Sequence, residues 1–154
     1  MVKVYNKQHH LELLRLESSN ERPLTSIEKL ELNHYSSVLE SSVDWETKDQ
    51  YLELLEEFHS REINLGLFFL GFKERIDWNI KVYDSLKDNF CLLSFHEKSM
   101  EFSNFIEEIV ELYYEYEQLF DSAISEEESD SHNLQCYKSI EKIYLKIQAS
   151  LKEE

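Results

Sequence analysis

The sequence predicts an all-α protein, a single antiparallel bundle of five or six helices with a four-helix core. Three observations carry this expectation. Only two glycines and one proline occur in 154 residues, so the usual punctuation of hairpins and tight turns is nearly absent. Apolar residues recur at three- and four-residue spacing in one segment after another, which is the helical period. Acidic residues fill many of the opposite positions, with 32 Asp and Glu against 16 Lys and Arg and a formal net charge of −16.

The length points to one domain, residues 1–154. Residues 46–152 hold the four-helix core, and residues 1–45 either pack on it or form a separate arm. Hydrophobic residues make up 42 %, with nine Phe, nine Tyr and two Trp, too much apolar matter for a disordered acidic tail. Cys91 and Cys136 lack metal or redox spacing and read as reduced, core-filling thiols of a cytosolic protein. The N-terminal residues turn polar at once, without the apolar run of a signal peptide. The longest apolar stretch, Leu67 to Leu70, is far below a membrane span. A cytoplasmic protein with no membrane partner is therefore expected.

Leu11, Leu13, Leu14 and Leu16 predict a short helix over 8–18, followed by a connector from Ser18 to Pro23. Thr25-Ser-Ile-Glu28 is a capping box that opens a second helix, in which Ile27, Leu30, His34 and Val38 share a stripe to about Ser41. Ser42-Val-Asp-Trp45 reads as a break. A third helix, about 46–60, places Tyr51, Leu54, Leu55 and Phe58 inward and Asp49, Glu53, Glu56 and Glu57 outward.

Residues 64–87 are apolar nearly all round. Leu65, Phe68, Phe69, Phe72, Ile76, Ile80 and Tyr83 form one stripe, with Leu67, Leu70 and Trp78 opposite. Such a helix is either central to a bundle or exposes a docking patch, and the central position is the expectation. Gly66 and Gly71 in this segment suggest close approach of a neighbouring backbone. Asp88 to Ser94 reads as a connector. The next helix, about 96–120, keeps Phe102, Phe105, Ile106, Ile109, Leu112, Tyr113, Tyr116 and Phe120 inward, with Glu107, Glu111, Tyr114, Glu115 and Gln118 opposite and Glu108 on the flank. Ser125 to Ser131 reads as an acidic loop. The last helix, about 132–152, buries Tyr137, Ile140, Tyr144, Ile147 and Leu151, with Lys138, Lys142 and Lys146 along its side.

Catalytic signatures are missing from the chain: it has no Gly-x-Ser-x-Gly, no phosphate-cradling glycine loop, no Cys-x-x-Cys and no His-Glu-x-x-His. Glu31 with His34, and Glu56 with His59, have the Glu-x-x-His spacing of di-metal helical proteins. Glu31 and His34 fall on the apolar stripe, but Glu56 points away from its helix's inner face, so His34 reads as a core or boundary histidine. His9, His10 and His96 lie in polar surroundings and read as solvated. No catalytic residue, metal or cofactor is expected.

The charge points instead to a protein partner. A field of this sign attracts basic proteins and repels nucleic acid and anionic lipid. Glu107, Glu111 and Glu115 stack at successive four-residue intervals, where like charges weaken a helix by a few tenths of a kcal/mol per pair. Glu53 and Glu57 repeat the arrangement. The expected contact set is Glu53, Glu57, Glu107, Glu108, Glu111 and Glu115, with Tyr114 as an aromatic anchor.

Tyr51-Leu-Glu-Leu-Leu-Glu-Glu-Phe-His-Ser-Arg-Glu-Ile-Asn64, followed by Phe68 and Phe72, resembles the opening of the colicin D immunity-like family. The shared pattern is an aromatic-led acidic helix, a short turn with an acidic–Ile step, and a helix with Phe one turn apart. Tyr51, Leu54, Leu55, Glu56, Phe58, Ser60, Glu62, Ile63, Phe68 and Phe72 fit it. The likeness spans about residues 48–150, more loosely after Phe72. It departs at Arg61, where the family tends to have glycine, and at residues 64–66. The resemblance implies a four-helix core that binds a basic ribonuclease toxin and covers its tRNA-binding surface with carboxylates. Two other readings stand beside it: a helical adaptor or assembly factor docking through Leu67, Leu70 and Trp78, and a metal-dependent helical enzyme using the two Glu-x-x-His pairs.

Overall fold

Side chains that replace missing backbone partners set most of the helix starts. The computed structural model describes residues 6–19, 21–86, 96–120 and 125–152. These form six helices: α1 Lys7–Ser18, α2 Ser26–Glu46, α3 Lys48–His59, α4 Leu65–Leu86, α5 Ser99–Phe120 and α6 Glu126–Lys152. There is no strand among the described residues, so the architecture is the expected all-α bundle. Cys91 and the Asp88–Ser94 connector lie outside the described residues.

Asn6 accepts the His9 N–H to start α1. At α2 the capping box is complete, with Glu28 N–H on Thr25 Oγ1 at 3.1 Å and Thr25 N–H on Glu28 Oε1 at 3.0 Å. Arg22 grips the same Glu28 through both nitrogens, and that bond, followed by the Thr25 amide, pulls the Glu28 carboxyl down to about 2. Asn64 caps α4 by accepting the Leu67 N–H.

The start of α6 corrects an expectation. Ser125 Oγ accepts the Glu128 N–H, and Glu126, Glu127 and Glu128 occupy the first helical turn rather than a loop. The helix dipole favours negative charge there. The break at Ser42 to Trp45 also disappears. The α2 helix runs through it, with Ser41 and Ser42 hydroxyls folded back onto the carbonyls of Ser37 and Val38. Val43 and Trp45 are buried, and Thr47 alone separates α2 from α3.

Two apolar clusters hold the helices. The larger one joins Trp45 with Tyr51, Leu55 and Phe58 of α3, Phe68, Phe69 and Phe72 of α4, Phe102, Ile106 and Ile109 of α5, and Ile140, Ile143, Tyr144 and Ile147 of α6. The smaller one joins Leu13 of α1 to Leu32 and Tyr35 of α2. The most extensive packing is α2 on α5, then α5 on α6 and α3 on α4, so α5 lies between α2 and α6. The first 45 residues thus contribute a helix that packs along α5, and α1 packs on α2.

The inner stripe of α2 is rotated from the expected one. Ile27 and Leu30 are each 69 % exposed, while Leu32, Tyr35, Val38, Leu39 and Val43 are buried. Along α4 the outward residues Leu67, Leu70 and Trp78 are 53 %, 57 % and 55 % exposed, so this helix is not wrapped on all sides as expected. Ile80, expected inward, is also exposed, and Asn79 is buried in its place. Gly71 admits a side chain rather than a backbone: a Cβ there would stand 3.0 Å from Leu54 Cδ1. Around α5 and α6 the expected inward residues are buried or half-buried wherever their side chains are described. Cys136 is a buried free thiol, raised by that burial.

Arg61 closes α3 in the left-handed conformation, φ 62°. Its N–H bonds to the Phe58 carbonyl and the Glu62 N–H to the Glu57 carbonyl, the double bond of a Schellman turn. Glycine is the residue that normally occupies this position.

Candidate functional site

Burial of Phe102, Ile106 and Ile109 orients α5 and leaves Glu107, Glu108, Glu111, Tyr114 and Glu115 exposed. Over its 22 residues α5 carries six glutamates and no lysine or arginine. None of Glu107, Glu108, Glu111 and Glu115 forms an ion pair among the described residues. Tyr114 stands among them, 58 % exposed.

The other two expected contacts lie elsewhere. Glu53, exposed, and Glu57, half-buried, line a groove between α3 and α4 together with Gln50, Leu54, Glu74 and Arg75. A cation is already present there, since Arg75 donates to Gln50 across the groove. Glu107 and Tyr114 instead line a cleft of about 460 Å³ between α2, α4 and α5. The expected set is therefore divided: Glu53 and Glu57 line one groove beside α4, Glu107 and Tyr114 line the other, and Glu108, Glu111 and Glu115 lie on the exposed side of α5 outside both.

The α2–α4–α5 cleft contains a polar centre that sequence reasoning missed. Asn79 Nδ2 donates to Asp44 Oδ1 at 3.1 Å, Thr47 Oγ1 at 2.9 Å and Tyr51 Oη at 3.0 Å, so its two hydrogens are shared among three acceptors. Ser103 Oγ donates to Asp44 Oδ2 at 2.7 Å. Burial holds the Asp44 carboxyl above the usual carboxylate range, with the Ser103 and Asn79 hydrogen bonds opposing and the Glu107 charge adding to it. Burial, then the charge of Asp44, lifts Tyr51 far above an ordinary phenol. Glu40 is raised by burial and by Asp44 and Glu107. One signal in the sequence pointed here: the helical period from Phe68 through Phe72 and Ile76 reaches Asn79, a polar residue in an apolar stripe.

The histidines also need correction. His10 is only 1 % exposed, packed beside the Tyr35 ring and lowered by burial. His9 pairs with Glu31, and His96 stacks on Trp45 at 4.2 Å between ring centroids. None of these is the solvated side chain expected. His34 is half-buried, as a boundary histidine should be. Of the Glu-x-x-His residues, Glu31 is held by His9 and His59 is paired with Glu141 of α6. Among the described residues no three His, Cys, Asp or Glu come together as a metal site.

Fold and surface together define an acidic all-α helical bundle with a carboxylate face on α5 that forms no ion pair among the described residues. No protein-family model, curated protein or solved structure matches the chain. Among the described residues no helix is long and apolar enough to cross a membrane.

Proposed function

We propose that this chain is a cytoplasmic partner-binding protein, an immunity-type inhibitor that blocks a basic nuclease by presenting carboxylates where the enzyme takes nucleic acid. The observation that carries the reading is the α5 face: exposed Glu107, Glu108, Glu111 and Glu115, no lysine or arginine anywhere on the helix, and an exposed tyrosine among them. Repelling carboxylates on one helix weaken it, and cations from neighbouring helices would ordinarily offset that repulsion. Here they do not. Carboxylates spaced along a helix can stand in for phosphates, and charge-assisted bonds from Arg and Lys would fix the register. The likeness to the colicin D immunity-like family belongs to the same proposal.

The test is capture of a basic nuclease from the source cell by the tagged protein at low and high salt. Capture at low salt and loss at high salt are expected, because steering by charge falls with ionic strength. Glu111→Lys should weaken binding about tenfold or more, mainly through the association rate. Salt-independent capture would overturn the reading.

The exposure of Leu67, Leu70 and Trp78 on α4 favours a second reading, an adaptor that docks through apolar surface. Trp78→Ala separates the two. With its side chain 55 % exposed, the substitution should change stability by no more than about 0.5 kcal/mol in urea unfolding. It should leave binding intact in the inhibitor reading and abolish it in the adaptor reading.

A further inference from the structure

We infer that the cleft between α2, α4 and α5 receives a protonated primary amine on an aliphatic stem, the chemistry of a lysine side chain or a linear diamine. The inference rests on the partner-binding reading only for where a lysine would come from. The site itself stands on two independent observations. First, carboxylates from three helices line the cleft: Glu40 and Asp44 from α2, Asp84 from α4 and Glu107 from α5. Second, Asn79 on the same wall is only 6 % exposed, and its buried Oδ1 accepts no hydrogen bond among the described residues. A buried amide oxygen left without a donor is costly, and a ligand that donates to it removes the cost.

The chemistry selects among cations. A divalent metal needs several oxygen ligands converging at short range, and no such group of three occurs among the described residues. A guanidinium binds best as a fork on two coplanar oxygens of one carboxylate, and the carboxylate hydrogen-bonded to Asn79 is Asp44. At Asp44 both oxygens already accept bonds, one from Asn79 and one from Ser103. An ammonium has three freely rotating donors and suits acceptors scattered around a point, here Asn79 Oδ1 with the remaining lone pairs of Asp44. Val43, Ile76, Ile80, Ile106 and Val110 supply apolar walls for a methylene stem. Tyr114, exposed on the α5 face, lines the same cleft, so a lysine of a partner seated on that face would have the cleft within the contact area.

The experiment needs no partner, so it can fail while the inhibitor reading stands, and the reverse. The ¹⁵N-labelled full chain is titrated at constant ionic strength with cadaverine and, separately, with N-acetyl-lysine methylamide. The side-chain amide of Asn79 and the backbone amides of Asp44 and Glu107 are followed by NMR. The expected result is a saturable shift confined to the cleft, with Kd on the order of 1 mM or tighter. Asp44→Asn should weaken it about tenfold or more. Glu127→Gln, an equal charge change in the exposed first turn of α6 and not among the cleft-lining residues, should leave it unchanged. Saturation by the lysine derivative identifies a side chain as the natural ligand type; saturation by cadaverine alone identifies a free diamine. The inference is overturned if neither amine saturates, if pentanol or sodium chloride reproduces the shifts, or if Asp44→Asn binds as well as the parent.

Discussion

Phe68→Ala is expected to cost about 3–5 kcal/mol of folding free energy, in the range measured for large aromatic-to-alanine changes in cores. Phe68 is fully buried, and its ring lies 4.8 Å from that of Phe58, 5.6 Å from Phe69 and 5.9 Å from Phe72, centroid to centroid. It thereby ties α4 to α3 at the point where the two helices share the larger cluster. Neighbours held in helices on both sides can collapse only partly into the vacated space, so a cavity term adds to the lost burial. Domains are stable by about 5–15 kcal/mol in total, so the variant should sit close to unfolding. Urea unfolding followed by helical circular dichroism checks this, with a melting temperature about 10 °C or more below the parent. A loss below about 1 kcal/mol would mean that Phe68 does not sit in the tightly packed centre.

The parts of the fold legible in the sequence are those where one apolar stripe leaves no choice of face. In α5 a single stripe runs from Phe102 to Tyr116, and the outward position of Glu107, Glu111 and Glu115 follows from it. On α2 the period alone could not choose. Ile27, Leu30, His34 and Val38 make one helical row, and Leu32, Tyr35, Leu39 and Ser42 make another. The second row is buried throughout while the first is buried only at Val38, and Leu13 of α1 packs against the second at Leu32 and Tyr35, a contact made only in the tertiary structure. The same holds for α4, where residues apolar on every side give no hint of which side lacks a neighbour. The start of α6 was hidden for a different reason. A run of Glu reads as a solvated loop, but with Ser125 as cap it is also a good first helical turn.

The candidate site divides along the same line. The α5 carboxylate face could be read from spacing, because each member lies on one helix. The Asp44 centre could not, because its members come from α2, α3, α4 and α5 and meet only when these helices pack. Asp44 was further obscured by sitting in a segment, Ser42 to Trp45, whose polar start looked like a helix end.

Asn79→Leu is expected to destabilise the fold by about 2–3 kcal/mol at pH 8, the cost of removing hydrogen bonds to a buried charge and its neighbours. It removes the donor shared by Asp44, Thr47 and Tyr51. Asp44→Asn should act in the opposite direction. Burial raises the folded-state pKa of Asp44 above its unfolded value, so within the window between the two the native protein holds a proton that the unfolded chain has lost. Stability therefore falls as pH rises from the ordinary Asp pKa through the raised one, and stays lower above it. The charged and titrating groups around this carboxylate are Glu40 on its own helix, Tyr51 of α3, Asp84 of α4 and Glu107 of α5, while Arg75 of α4 acts on Tyr51. The acidic members outnumber the single cation, which reinforces the direction. Asp44→Asn should accordingly be the more stable protein at pH 8, lose that advantage near pH 4, and show a flatter profile between, as read by chemical unfolding across the range. A stability gain on removing a buried carboxylate means that its charge is kept against the interest of the fold, which is how binding groups behave. If Asp44→Asn is instead equally destabilised at both pH values, Asp44 serves as a structural acceptor for Ser103 and Asn79, and the cleft loses its claim to a cation.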